Sequence, residues 1–452
     1  MIRTPLILSL SLRLLLLTCL AAGLQWFSPS ISSASSLNAT RFVHESGLVV
    51  LHAQRDSLPL VKAVLLIRSG TVHDPEGLSG LASITASLLT EGTLSMTAEE
   101  FSEEVEFIGA TIGASASSDS TTYSLHVLKK DIDAGFKLYS DALMNPAFDS
   151  EELDRKREII IGSLELQLEN PNYISRRAFM NAVLGSHPYG KNSSGKPESL
   201  RAINREHLTE FHKTHFTPAN AILAVAGDLT REELERLIST YLAKWTGPKP
   251  EKKPLEPTIA HGKSVVLNHM DISQANIYFG HLGVRRSHPD YYALQVMNFT
   301  LGGGGFSSRL MDRVRDDLGL AYSIRSTFAP FLHSGVFYVN VQTRNDAAET
   351  VIKEVKSIIT DIKENGITKE ELEASKAFLT GSFPRRLETI GRTAVFLALT
   401  DFHNLGLNYQ EEYIKTINSL TLLDILDVAS RHLRPENSVL SITADLEKAG
   451  LK

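Results

Sequence analysis

The chain contains a single cysteine, Cys19, in 452 residues. It lies inside the apolar N-terminal run "MIRTPLILSLSLRLLLLTCLAAGLQWF", so a chain cleaved beyond it has no cysteine, and disulfides are excluded as a source of its stability. An excess of positive charge is also missing. Lys and Arg number 46 against 52 Asp and Glu, a net charge of -6, which argues against a basic footprint for phosphate backbones and against nucleic acid as a partner. Four consecutive glycines, Gly302, Gly303, Gly304 and Gly305, are followed by no G-K-[ST], and no Rossmann spacing is present, so a nucleotide cradle is excluded. What is present is a composition with 42% hydrophobic and 22% charged residues. It predicts a globular chain long enough for two ordinary domains built on a large apolar core.

The N-terminal run, interrupted by Arg3 and Arg13 and followed by "SPSISSASS", reads as an export signal over 1–34. Cleavage after Ala34, with Ser32 two positions earlier, fits a small-x-small site. The expected location is periplasmic or extracellular. "LLTC" around Cys19 approximates a lipidation box with Thr18 where a smaller residue is usual, so cleavage, lipidation at Cys19 and an uncleaved membrane anchor stay open.

The remainder is an internal repeat. "SEELDRKREIIIGSL" from Ser150 aligns with "KEELEASKAFLTGSF" from Lys369, and "FTPANAILAVAGDL" from Phe216 aligns with "LRPENSVLSITADL" from Leu433, at almost the same shift. "WTGPKPEKKPLEPTI" breaks the periodicity between the copies, giving domains at 35–245 and 259–452 joined by a Pro/Lys-rich linker at 246–258. Each copy alternates strands and helices without regular βαβ order. The expected fold is α+β: two homologous domains, each a mainly antiparallel sheet with helices on one face.

In "GLASITASLLTEGT", Leu81, Ile84, Leu88 and Leu89 form the buried stripe of a helix. Here the chain resembles the pitrilysin, insulinase and mitochondrial-processing-peptidase family of zinc metallopeptidases, whose catalytic members carry G-L-A-H-x-x-E-H on the equivalent helix. In that motif two histidines four apart share a helix face and bind zinc, and the glutamate is general base for zinc-bound water. Gly80-Leu81-Ala82 and Gly92-Thr93 fix the register, and the three positions hold Ser83, Ala86 and Ser87. The family's further glutamate ligand falls in "RKREIIIGSL", where Gly162 and Ser163 stand, while Glu158 and Glu165 reach the site only by a helix shift. No metal is therefore expected in this chain. The rival is "EHLTEFHKTH": His207 and His212 diverge by roughly 140° around a helix, whereas His212 and His215 could share a metal. A partly exposed helix with scattered histidines is the simpler reading. "SHPYG" at Ser186–Gly190, also familiar from the family, is read as a turn.

"LGGGGFSSRLMDRVRDDLGLAYSIRS" supplies the second site. The four glycines predict a backbone free to adopt positive φ and to move, ahead of a helix with Arg309, Arg313 and Arg315. The segment resembles the same family through R-x-x-x-G-L-A-Y, which is Arg315, Gly319, Leu320, Ala321 and Tyr322. In heterodimeric members the subunit without the zinc motif supplies such an arginine and tyrosine to its partner. The resemblance implies that Arg315 and Tyr322 bind substrate and polarise its scissile carbonyl, for which a guanidinium and a phenol are both suitable donors. The expected role is a non-catalytic subunit that joins an H-x-x-E-H-bearing partner carrying the zinc, with a peptide as substrate. Two other readings stand beside it: a noncatalytic binding or assembly protein on a peptidase fold, and an autonomous peptidase with an unconventional metal site.

Overall fold

Two sheets of matching strand order organise the chain. The computed structural model describes residues 37–251, 255 and 262–451. The leader 1–34 with Cys19, and linker residues 252–254 and 256–258, lie outside the described residues.

The first sheet contains β1 (Thr40–Val43), β2 (Val49–Gln54), β3 (Leu60–Ile67), β4 (Thr111–Ala116), β5 (Thr121–Leu128) and β6 (Ala221–Gly227), in the order β1-β2-β6-β3-β5-β4. The second contains β7 (Ser264–His269), β8 (Gln274–Leu282), β9 (Ala321–Pro330), β10 (Gly335–Arg344) and β11 (Val439–Ala444), in the order β7-β11-β8-β10-β9. With β1 set aside the orders correspond strand for strand. Among the described residues only one pair in each sheet is parallel, β2 with β6 and β7 with β11.

The first half carries helices α1 (Leu81–Leu88), α2 (Ala98–Phe107), α3 (Ile132–Met144), α4 (Ser150–Gln167), α5 (Pro171–Leu184), α6 (Pro197–Ala202), α7 (Arg205–His215) and α8 (Arg231–Tyr241). The second carries α9 (Tyr291–Asn298), α10 (Ala348–Asn365), α11 (Lys369–Gly381), α12 (Ile390–Phe402), α13 (Tyr409–Ser419) and α14 (Leu422–His432). Local chemistry sets several starts. Thr97, Thr230, Thr368 and Thr421 accept a hydrogen bond from the third helical amide, and the carboxylate of the acidic residue there accepts one from the threonine amide. Alternation then fixes the buried face. On β5, Thr121, Tyr123, Leu125 and Val127 point inward, and Tyr123 stacks on Tyr139 of α3 at 4.3 Å with each hydroxyl donating to the other's backbone carbonyl.

Most helices of each half lie on one face of their own sheet, as expected, but each half sends one helix to the other. Every residue of β6, "AILAVAG", is buried. Ala221, Leu223 and Val225 join the first half's core, and the opposite face of β6 and β3 is covered by α12. A strand covered on both faces has no polar alternation, which explains the unbroken apolar run. Reciprocally, α5 lies on β8, β11 and β7, packing Phe179 and Val183 against Tyr278, Val336 and Val439. Three arginines of the first half clamp α12. Arg41 and Arg68 pair with Asp401 at 2.5 and 3.3 Å, and Arg55 donates to the Leu387 carbonyl and Thr393 hydroxyl at 2.6 and 2.9 Å.

Candidate functional site

Helix α1 begins where Gly80 turns the chain at φ +97°. A Cβ there would meet the Ser194 carbonyl oxygen at 2.9 Å, so glycine serves both the left-handed turn and the close approach. Asp74 caps the helix, accepting from the amides of Gly80 and Ala82 at 2.7 and 2.8 Å. Burial pushes this carboxyl up to about 7 against the pull of those amides. Leu81, Ile84 and Leu88 are buried as the periodicity requires, and α1 packs against α4 and α7. The two helices carrying the degenerate zinc positions are therefore neighbours.

None of those positions offers a ligand. The Ser83 hydroxyl donates to the Ser193 carbonyl at 2.7 Å, bringing the 192–195 loop over α1. Ser87 donates to the Ile84 carbonyl of its own helix at 2.9 Å. Ala86 is fully buried and has only a methyl group. On α4, Gly162 faces open space, with nothing within 4 Å of an added Cβ, and Ser163 accepts a long hydrogen bond from Gln167. Two hydroxyls bound to carbonyls, a methyl, a bare Cα and a third serine do not fit a zinc ion, which takes thiolate, imidazole or carboxylate.

The histidines of α7 do not converge either. His207 accepts from the Asn204 amide at the helix start. His212 points to the Leu143 carbonyl at 2.8 Å, while the His215 ring lies against His73 with centroids 5.3 Å apart. Burial holds His212 and His215 down at about 4, and the nearby His73 also lowers His215. Among the described residues one group, His288, Asp290 and His432, brings three potential ligand atoms within 4.8 Å. Its carboxylate already accepts from Arg431 and His432, so a guanidinium occupies the cation's place. "SHPYG" is indeed a turn, and its tyrosine joins the halves. Tyr189 donates to Asp119 at 2.5 Å and stacks on Phe331 at 4.3 Å.

In the second half, α9 continues into a π-helical turn over Phe299–Gly303. The expectation that all four glycines free the backbone for positive φ is corrected here. A Cβ on Gly302, Gly303 or Gly304 would come within 2.8 Å of Ser326, Asn298 or Phe299, so these three permit close packing, and only Gly305, at φ +61° beside open space, requires glycine for its conformation. The three arginines that follow differ in what they bind. Arg309 grips Glu371 and Asp361, and Arg313 pairs with Glu354 at 2.8 Å. Among the described residues the sole ion pair of Arg315 is a 3.5 Å contact with adjacent Asp316. Its guanidinium lies 4.6 Å from the Phe306 ring centroid and 5.6 Å from that of Tyr322. Tyr322, 87% exposed, is the second residue of β9, an edge strand paired with β10 alone among the described residues. The structure thus brings Arg315 and Tyr322 together and adds Phe306, an exposed aromatic that the sequence reading passed over although it directly follows the four glycines. Among the described residues no hydrogen bond, ion pair or ring contact joins this group to α1 or α4.

Comparisons with known proteins give one consistent answer. A family model described as Insulinase (Peptidase family M16) matches residues 49–195, and one described as Peptidase M16 inactive domain matches residues 202–379. The chain is 26% identical over 396 residues to an uncharacterized zinc protease of Rickettsia bellii, covering 86% of this chain and 93% of that one. It is 26% identical over 409 residues to the non-peptidase homolog YmxG of Helicobacter pylori, covering 90% and 94%. Among solved structures it resembles a peptidase M16 inactive domain from Pseudomonas fluorescens, with TM-score 0.85 and 28% identity over 90% of this chain and 98% of that one.

Proposed function

Because the chain belongs to the M16, or insulinase, peptidase family, and is an M16 peptidase-like chain of the inactive kind, we propose that it acts as a zinc-free subunit beside an H-x-x-E-H-bearing M16 partner. In this reading the partner holds the zinc and its water. This chain contributes the Arg315 guanidinium and Tyr322 phenol to the carbonyl of a bound peptide, where two fixed donors stabilise developing negative charge on oxygen. The single observation that carries the reading is a family helix pair, α1 and α4, brought together with every ligand position replaced, while Tyr322 stands exposed and Arg315 half-buried, neither with a strong partner among the described residues. The free edge of β9 suits a peptide held in extended form beside Tyr322. The Helicobacter relative's description as a non-peptidase homolog agrees with it. Export to the periplasm or beyond remains part of the proposal; among the described residues no helix is long and apolar enough to cross a membrane.

The test measures zinc and peptide hydrolysis together. The chain purified alone from zinc-supplemented medium is expected to hold less than about a tenth of an equivalent of zinc and to cleave nothing. With an intact M16 partner from the same cells, hydrolysis appears and is sensitive to Arg315→Ala. One equivalent of zinc on the isolated chain, lost on replacing His207, His212 or His215, would overturn the reading. Partner-dependent hydrolysis indifferent to Arg315 and Tyr322 would favour an assembly role.

A further inference from the structure

The exchange of α12 leaves a cavity behind it. While Ala394, Leu397 and Ala398 of α12 are buried, its other side, with Val395, Phe396 and Leu399, lines a space of about 750 Å³ shared with α9, α11 and α13. Val395 and Leu399 are each 42% exposed. The volume lies within the range of sites for small organic ligands, about 300–1,000 Å³. Its walls are mostly apolar, no acidic side chain among the described residues lines it, and arginines stand around it.

Those arginines distinguish the cavity from an ordinary packing gap. Arg286 lies 3.9 Å from the Tyr291 ring centroid and donates to the Tyr409 hydroxyl at 2.9 Å. Arg386 lies 4.8 and 4.9 Å from the ring centroids of Phe383 and Tyr413. Among the described residues neither these two nor Arg385 has a carboxylate partner, whereas Arg392 at the rim pairs with Glu388 at 2.9 Å. A guanidinium packed on aromatic rings beside an apolar wall keeps its charge and its fixed fork of donors. The complement of that surface has an apolar body and one negative end.

We propose that this cavity binds a small amphiphilic anion, an unbranched or aromatic apolar body ending in a single carboxylate. The body displaces water along Val395, Phe396 and Leu399, and the carboxylate is received by Arg385 and Arg386 through charge-assisted hydrogen bonds. No lining residue belongs to α1, α4 or the Arg315 group, so the site stands independently of the peptidase reading.

Calorimetric titration of the purified chain with laurate, dodecanol and dodecyltrimethylammonium, all kept monomeric in solution, tests it. Laurate is expected to bind once per chain, about tenfold or more tighter than the neutral alcohol, and the cation to bind more weakly still. The double variant Arg385→Gln/Arg386→Gln should bring laurate down to the level of dodecanol. Leu399→Trp, or Val395→Trp should the first not fold, should block both, with thermal unfolding confirming that the fold is kept. Absence of laurate binding, equal affinity for all three probes, several molecules per chain, or laurate binding that ignores the two arginines would each overturn the proposal.

Discussion

The two halves share a strand order but place different chemistry at equivalent points. His73 and His215 of the first half correspond, at one common shift, to Asp290 and His432 of the second. In the first half the two rings face each other in a partly buried setting that lowers both pKa values. In the second, His432 donates to Asp290 at 2.6 Å, and although burial opposes it, Arg431 and His432 hold that carboxyl down at about 2. The contrast extends to the helices that follow. Helix α1 ends at Leu88 and carries no ligand, whereas α9 runs on into the glycine turn that positions Phe306 beside Arg315. At these matching positions the first half sets a histidine pair, and the second a carboxylate with its cations. A duplicated scaffold can therefore change the polar groups of one copy while the cores stay alike.

The strongest way to break this contrast is to give the first half its ligands. Ser83→His/Ser87→His/Gly162→Glu uses the adjacency of α1 and α4 and the open space beside Gly162. The triple variant is expected to take up about one equivalent of zinc and the natural chain almost none, read by metal analysis after dialysis. Failure to bind would mean that the helices are not disposed as a metal site.

On the second half, Arg315→Ala and Tyr322→Phe should each lower kcat of partner-dependent peptide hydrolysis about a hundredfold. Because both side chains are exposed or loosely held, thermal unfolding should scarcely move. A shift in unfolding equal to that of a core substitution would assign them to packing.

The seam between the halves gives a smaller effect. Asp401→Ala removes the shared partner of Arg41 and Arg68 and should destabilise the chain by about 1–3 kcal/mol in urea, with a lower midpoint and an unchanged slope if the halves unfold together. A second transition would show that α12 had let go on its own.

The histidine contrast is the subtlest. His215 is lowered from 6.5 to about 4, so between those values the unfolded chain binds more protons than the folded one. Its contribution to stability is full above about pH 6.5 and is lost as pH falls toward 4. Asp290, lowered from 3.8 to about 2, contributes fully above about pH 4 and loses that contribution only as pH falls toward 2. His215→Gln should therefore spare up to about 2 kcal/mol of the loss between pH 6.5 and 4.5, whereas Asp290→Asn should cost stability throughout that window without changing its slope. Urea unfolding at the two pH values separates them.

Much of this was legible in residue order. The repeat, the stripe on α1, the threonine caps and the absence of ligands at Ser83, Ala86, Ser87, Gly162 and Ser163 are local patterns, and local spacing is what a helix or strand obeys. Phe306 was within reach too, since an exposed aromatic beside a glycine run is a visible signal. The roles of Gly302, Gly303 and Gly304 were not, because close approach to Ser326, Asn298 and Phe299 is a property of neighbours.

The sequence by itself determined the two similar halves, their secondary structure and the residue types that stand at Ser83, Ala86, Ser87, Gly162 and Ser163, since each depends on residue type at short spacing. Only the tertiary structure decided that α5 and α12 change places, that Arg41 finds Asp401 across 360 positions of chain, and that an arginine-ringed cavity opens behind α12. Those outcomes depend on which surfaces meet once both sheets have formed, and apolar burial and ion pairing act through space without regard to distance along the chain.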